Sequence, residues 1–244
     1  MHSRAAHVKS SPQVPEYPVI EDEFQYLDKF DTVLIVDDSR SMVGRRWEIA
    51  RKVLGELAVV AARYDDDGID IHFLNDPTVQ HGLTTKEEID ELFQRVIPTP
   101  GTPIGRKLDN LLTAYINKYE ELRRDGTKLK KVNYILLTDG EPSESKSSEL
   151  YPDKVIVRAA KRLDELHAPQ VQIGIQFVQI GHSVSATKFL QSLDDDLMHK
   201  YKIRDIVDTT PAQAGHDLSA NDMIKILTGG INRRVDNQDV RRRR

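Results

Sequence analysis

The chain has 244 residues, 39% hydrophobic and 30% charged, with a formal net charge of −4 and no cysteine. That length suits one α/β domain with short extensions, and interspersed acids and bases argue against nucleic acid as a partner, which a basic face would serve. The lack of cysteine excludes disulfides and thiolate metal sites, and no run reaches the apolar length of a membrane span.

Residues 1–22, with Pro12, Pro15 and Pro18 among serines and histidines, read as an extended or disordered arm, and Asp22–Lys29 as a lead-in. Met1–His7 carries no apolar core of a secretion signal. Together with the missing disulfides, this fits a cytoplasmic or nuclear protein. The first strand is Asp31–Asp37, around the apolar run Thr32-Val33-Leu34-Ile35-Val36. Trp47, Ile49, Ala50, Val53, Leu54, Leu57, Val60 and Ala61 recur at helical spacing and predict a helix from Arg46 to Ala62, with Trp47 packing it on the sheet. Asp65-Asp66-Asp67-Gly68 is a turn, Ile69–Leu74 an alternating strand, and Thr78–Leu83 a short edge strand. Only the turn Asn75-Asp76-Pro77 separates those two strands, so they pair antiparallel.

Thr84 or Thr85 caps a helix over Lys86–Val96, with acids in its first turn. Gly105–Arg124 is a longer helix that stops at Gly126. The buried strand Val132–Thr138 follows, then a helix from Pro152 to Leu166 and a strand over Val171–Ile180. Ser185–Leu193 is a further helix, Asp194-Asp195-Asp196 a solvated turn, and Ile206–Thr209 the last strand. Ser219 or Asn221 caps a final helix from Asp222 to about Leu227, and residues 236–244, with Arg241–Arg244, form a basic tail. Strands alternate with helices throughout. For residues 23–235 this predicts a doubly wound α/β domain with a mostly parallel six-stranded sheet, one antiparallel edge strand and helices on both faces.

The first strand delivers Asp37-Asp38-Ser39-Arg40-Ser41 to its C-terminal tip. Alternate residues of an extended chain point the same way, so Asp37, Ser39 and Ser41 converge while Asp38 and Arg40 face elsewhere. A carboxylate with two hydroxyls suits a hard divalent cation, Mg²⁺ or else Mn²⁺ or Ca²⁺, which keeps waters and open positions. Strand tips are also where open α/β sheets bind ligands. Thr102, on the loop Pro100-Gly101-Thr102-Pro103-Ile104-Gly105, and Asp139, at the end of the strand Val132–Thr138, are candidates to join them. Each has a plainer account: Asp and Ser cap helices and make turns, Thr102 lies in a proline-framed loop, and Asp139 precedes Gly140.

Taken in this order, Asp-x-Ser-x-Ser, the Gly-Thr-Pro loop and the strand ending Thr-Asp-Gly resemble the metal-ion-dependent adhesion site of the von Willebrand factor type A family, over about Phe30 to Arg234. The resemblance implies that Asp37, Ser39, Ser41 and Thr102 lie on or near the metal, with Asp139 acting directly or through water. It implies a module that captures an acidic side chain of a partner protein at an open metal position, with no enzymatic activity. The family has glycine between the two serines, where this chain has Arg40. That arginine either repels the metal, clamps an acidic ligand or points to solvent.

Other readings fit less of the chain. Val33–Ser39 is similar to the opening of a response-regulator receiver, yet the next strand-end aspartate, Asp139, comes too late for a domain of that size. An aspartate-nucleophile phosphatase needs a second acid where Ser39 stands. A Ser/His/Asp hydrolase would show a Gly-x-Ser-x-Gly elbow, and none is present. The alternatives to the binding module are a Mg²⁺-dependent phosphoryl-handling enzyme built on Asp37 and Asp139, and a scaffold whose metal site is degenerate.

Overall fold

A computed structural model describes residues 27–64, 67–212, 222 and 225–229. The buried run after a short 3₁₀ turn becomes β1 (Phe30–Val36), and the 3₁₀ turn Arg40–Met42 leads into α1 (Arg45–Ala61). Then come β2 (Ile69–Phe73), β3 (Val79–Leu83), α2 (Lys86–Arg95), α3 (Ile104–Arg124) and β4 (Lys131–Thr138). The chain continues through α4 (Pro152–Glu165), β5 (Ile173–Ile180), α5 (Val184–Gln191), a π-helical segment Ser192–Asp196, α6 (Leu197–Tyr201) and β6 (Val207–Ala212). The strands form one sheet in the order β3-β2-β1-β4-β5-β6. Every neighbouring pair is parallel except β2–β3, the predicted antiparallel edge.

The central strands β1 and β4 are buried on both faces because they are apolar at successive positions, as parallel strands between helical layers require. Leu34, Val36, Ile71, Phe73, Ile135 and Leu137 pack under α1 and α2, against Leu54, Leu57, Ile89 and Leu92. The alternate residues Val33, Ile35, Tyr134, Leu136, Ile175 and Phe177 pack under α3, α4 and α5, against Leu108, Leu112, Ile156 and Leu190. Trp47 does pack α1, with its ring 4.5 Å from that of Phe93 and 6.1 Å from that of Phe73. Thr85, not Thr84, caps α2: its side chain accepts from the Glu88 N–H while Glu88 reaches back, a capping box.

Three expectations are corrected. Asp194-Asp195-Asp196 is not a turn but the body of the π-helical segment that carries α5 on into α6. There Asp194 Oδ2 accepts the Thr209 N–H at 3.1 Å, which ties the segment to the edge strand β6. β6 runs past Thr209 to Ala212 through Pro211. A proline, which has no N–H to donate, is tolerated because β6 is an edge strand. β5 starts at Ile173 rather than Val171, since the Gln172 N–H closes a turn on Pro169 O at 3.0 Å. The predicted arm (1–22), Asp65-Asp66, the caps Ser219 and Asn221 and the tail 236–244 lie outside the described residues. Of the last predicted helix, 222 and 225–229 are helical, with Ile226 and Leu227 in the same core cluster as α1.

From β1 the chain runs outward to β2 and β3 on one side, and from β4 to β5 and β6 on the other. The β1–β4 junction is therefore the topological switch point, the place where open α/β sheets form a ligand crevice beyond their C-terminal strand ends. α3 starts beside this crevice, and its first turn is pressed against the loop after β4. The Arg106 N–H is donated to Glu144 Oε1 at 2.9 Å, and a Cβ on Gly105 would lie 1.8 Å from Leu150 O. A side chain there cannot fit without parting the two loops. Gly105→Ala is expected to cost about 2 kcal/mol or more, a fall of roughly 4–8 °C in the melting midpoint. An unchanged midpoint would show that the two loops are not held together at this glycine.

Candidate metal centre

β1 and β4 run in register up to Val36 opposite Leu137, and Asp37 extends the ladder by one bond, its N–H to Leu137 O at 2.9 Å. This places Asp37, fully buried, beside Thr138. The Thr138 hydroxyl donates to Asp37 Oδ2 at 2.6 Å, and the Ser39 N–H donates to Oδ1 at 2.8 Å. The chain stays extended through Ser39 (φ −73, ψ 159) and then bends into the 3₁₀ turn Arg40–Met42. Convergence therefore comes from extension followed by a turn, rather than from strand alternation carried through to Ser41. The turn brings Ser39 Oγ and Ser41 Oγ to 2.9 Å, and the Ser41 hydroxyl donates to Asp139 Oδ1 at 2.9 Å. Four of the five predicted residues, Asp37, Ser39, Ser41 and Asp139, thus share one hydrogen-bonded set across the tips of β1 and β4.

Thr102 belongs to the same end of the sheet but is tied to a different loop. Its N–H is donated to Ser143 Oγ at 3.2 Å, and its carbonyl accepts the Ser143 N–H at 3.0 Å. What fastens that loop is Asp38, which faces away from the serines as predicted but is not idle. Asp38 is fully buried; its Oδ1 accepts from Asn75 N (2.8 Å) and Nδ2 (3.1 Å), and its Oδ2 from Asp76 N (2.8 Å). Asn75 Nδ2 also donates to Gly101 O at 2.9 Å, and the Thr99 N–H bonds Asp38 O at 2.8 Å. One carboxylate thus joins the β1 tip, the β2–β3 turn and the loop that carries Thr102.

The electrostatics centre on two buried carboxylates. Burial raises the Asp37 carboxyl above its ordinary value, hydrogen bonds from Thr138 and Ser39 oppose this, and the charge of Asp139 adds to the rise. Asp139 is itself buried, and its Oδ2 meets Arg46 Nη1 at 2.9 Å. The same Nη1 donates to Ser41 O at 2.9 Å. Arg40, which stands between the two serines, is exposed. The cation at this site is Arg46, which the sequence reading missed. The only local signal was an arginine in the first turn of a helix, where the macrodipole disfavours positive charge.

The donor chemistry fits a divalent cation. Hard oxygens from Asp37, Ser39 and Ser41 face one another, Asp139 lies behind Ser41, and positive charge there would relieve both carboxylates. Among the described residues no three His, Cys, Asp or Glu gather as a metal-binding group.

No family model matches this chain, and no curated protein matches it. Among solved structures, the vWF domain of the type V pili tip protein Mfa5 from Porphyromonas gingivalis is similar with a TM-score of 0.40 and 9% identity. The match covers 86% of this chain and 95% of that one. At that score and identity the likeness transfers no residue roles; the α/β architecture stands on the strand order and register.

The raised Asp37 carboxyl has a measurable consequence. Its folded form holds a proton more tightly than its unfolded form, so ionised Asp37 costs stability at neutral pH. That cost fades as pH falls through the raised value toward the ordinary 3.8. In chelator at neutral pH, Asp37→Asn is expected to melt above wild type, with the gap closing in acid. A gap that is absent or independent of pH would mean that the hydrogen bonds fully compensate the burial.

Proposed function

We propose that this chain is a protein-binding module in which a divalent cation, Mg²⁺ foremost, captures an acidic side chain of a partner protein. Asp37, Ser39 and Ser41 would hold the ion, with Thr102 and Asp139 in support. The observation that carries this reading is the hydrogen-bonded set of oxygens running from Thr138 through Asp37, Ser39 and Ser41 to Asp139 at the switch point of the sheet. When bound, the ion would supply Lewis-acidic positive charge and an open coordination position for a carboxylate. The protein's own part is to present preformed oxygens on a rigid strand end.

The surroundings suit a protein partner. Val43, Ile97 and Val184 are exposed large apolar residues. Val43 follows Ser41 closely, Ile97 precedes Thr99, which pairs with Ser39, and Val184 follows Gly181 at the tip of β5. Single exposed apolar side chains need no explanation, but several on the loops that follow the strand tips suit an interface. The reading includes no catalytic step. No helix among the described residues is long and apolar enough to cross a membrane; an intracellular setting rests on the absence of cysteine.

Millimolar Mg²⁺ or Mn²⁺ is expected to raise the melting midpoint by mass action. Asp37→Ala should abolish the shift, and partner capture from lysate should be lost with chelator. No metal-dependent shift in wild type would sink the reading. Turnover of a phosphate ester that disappears in Asp37→Ala would replace it with a phosphoryl-handling enzyme.

A further inference from the structure

Arg46 lies where the tips of three strands meet. It contacts Ser41 O after β1 and Asp139 Oδ2 after β4, and it passes over Gly181 after β5. Gly181 has φ +84, and a Cβ built on it would lie 3.3 Å from Arg46 Nε, so the missing side chain leaves the guanidinium its berth. Ser41 already occupies Asp139 Oδ1. Oδ2 is the oxygen left to face a cation, and Arg46 takes it. The arginine side chain is 44% exposed, while that of Asp139 is 4% exposed. A desolvated carboxylate therefore draws its counter-charge from a residue that solvent can reach. Arg46 sits in the first turn of α1, at the helix end least favourable to a cation, so helix stability does not account for it.

We propose that Arg46 is an intramolecular stand-in for the metal: it competes with a divalent cation for Asp139 and thereby sets the metal affinity of the site. This rests on the metal reading above. Two carboxylates and one guanidinium leave Asp37, Asp139 and Arg46 with a single net negative charge, so a divalent ion meets less attraction and a nearby like charge. Without the ion, Arg46 keeps buried Asp139 from being an uncompensated charge, which would be strongly destabilising. The protein stays folded without metal, and binding is weakened in exchange.

The test is calorimetric titration of the full chain with Mn²⁺, together with melting in chelator and in Mn²⁺, for wild type, Arg46→Gln, Arg46→Lys and Arg40→Gln. Arg46→Gln should bind Mn²⁺ roughly fivefold tighter, the size of one partly screened charge contact. It should melt lower than wild type in chelator and recover more of its midpoint with metal. Arg46→Lys keeps the positive charge but on a shorter side chain with a compact, strongly hydrated head that meets Asp139 less closely, so it should fall between; it also serves as the test if Arg46→Gln does not fold. Arg40→Gln should match wild type in both measurements.

Equal or weaker binding by Arg46→Gln, or a melting loss of the same size with and without metal, would overturn the inference while leaving the metal reading intact. Binding by Arg46→Gln but not by wild type would support the inference and remove metal from the function of the natural chain. No binding by any variant would overturn both.

Discussion

A buried carboxylate sits at the end of the central strand, and the site is arranged around its needs. Asp37 is fully removed from water, yet it is one residue past β1, where the pairing with β4 runs out. Its two strongest supports are the Ser39 N–H, which shapes its own loop, and the Thr138 hydroxyl, which belongs to the neighbouring strand. The second bond is possible only because β1 and β4 are parallel neighbours in a fixed register. Their adjacency follows from the strand order that makes this junction the switch point. Topology, register and site are thus linked through one side chain.

The two acids of the Asp37-Asp38 pair divide the work. Asp37 faces the serines, and its raised carboxyl is the mark of a group that would welcome positive charge. Asp38 faces the other way and spends both oxygens on backbone and amide N–H groups of Asn75 and Asp76, with the Lys107 charge also within its reach. Through Asn75 it also fixes the loop at Gly101, and that loop is bound on its far side by Ser143. A buried carboxylate that is fully hydrogen-bonded is a structural strap. One that is buried beside a second carboxylate is a candidate for chemistry.

Arg46 introduces a tension of the kind found at functional sites, where local preference is overridden for a tertiary purpose. It sits at the helix end that disfavours it, spans from the β1 loop to Asp139, and passes close over the glycine that follows a third strand. The resulting ion pair is half at the surface, so screening by solvent limits its strength. A weak internal cation beside a strongly buried carboxylate can be exchanged for a better one, whereas a fully buried arginine could not.

The sequence by itself determined the alternation of strands and helices, the buried character of β1 and β4, the antiparallel edge and the residues gathered at the strand tips. These features are written in periodicities and caps that act within a few residues: the apolar run Thr32–Val36, a threonine cap at Thr84 or Thr85 before an acidic first turn, and the turn Asn75-Asp76-Pro77. Tertiary structure alone decided which arginine meets Asp139, that Asp38 fastens the Thr102 loop, that Asp194–Asp196 continue a helix, and that β6 extends through Pro211. Each of these depends on which segments lie side by side in the folded chain. Arg40 and Arg46 look alike in sequence, and only the register of β1, β4 and β5 brings Ser41, Asp139 and Gly181 around the second of them. Local pattern names the groups available at a strand end; long-range pairing decides which of them touch.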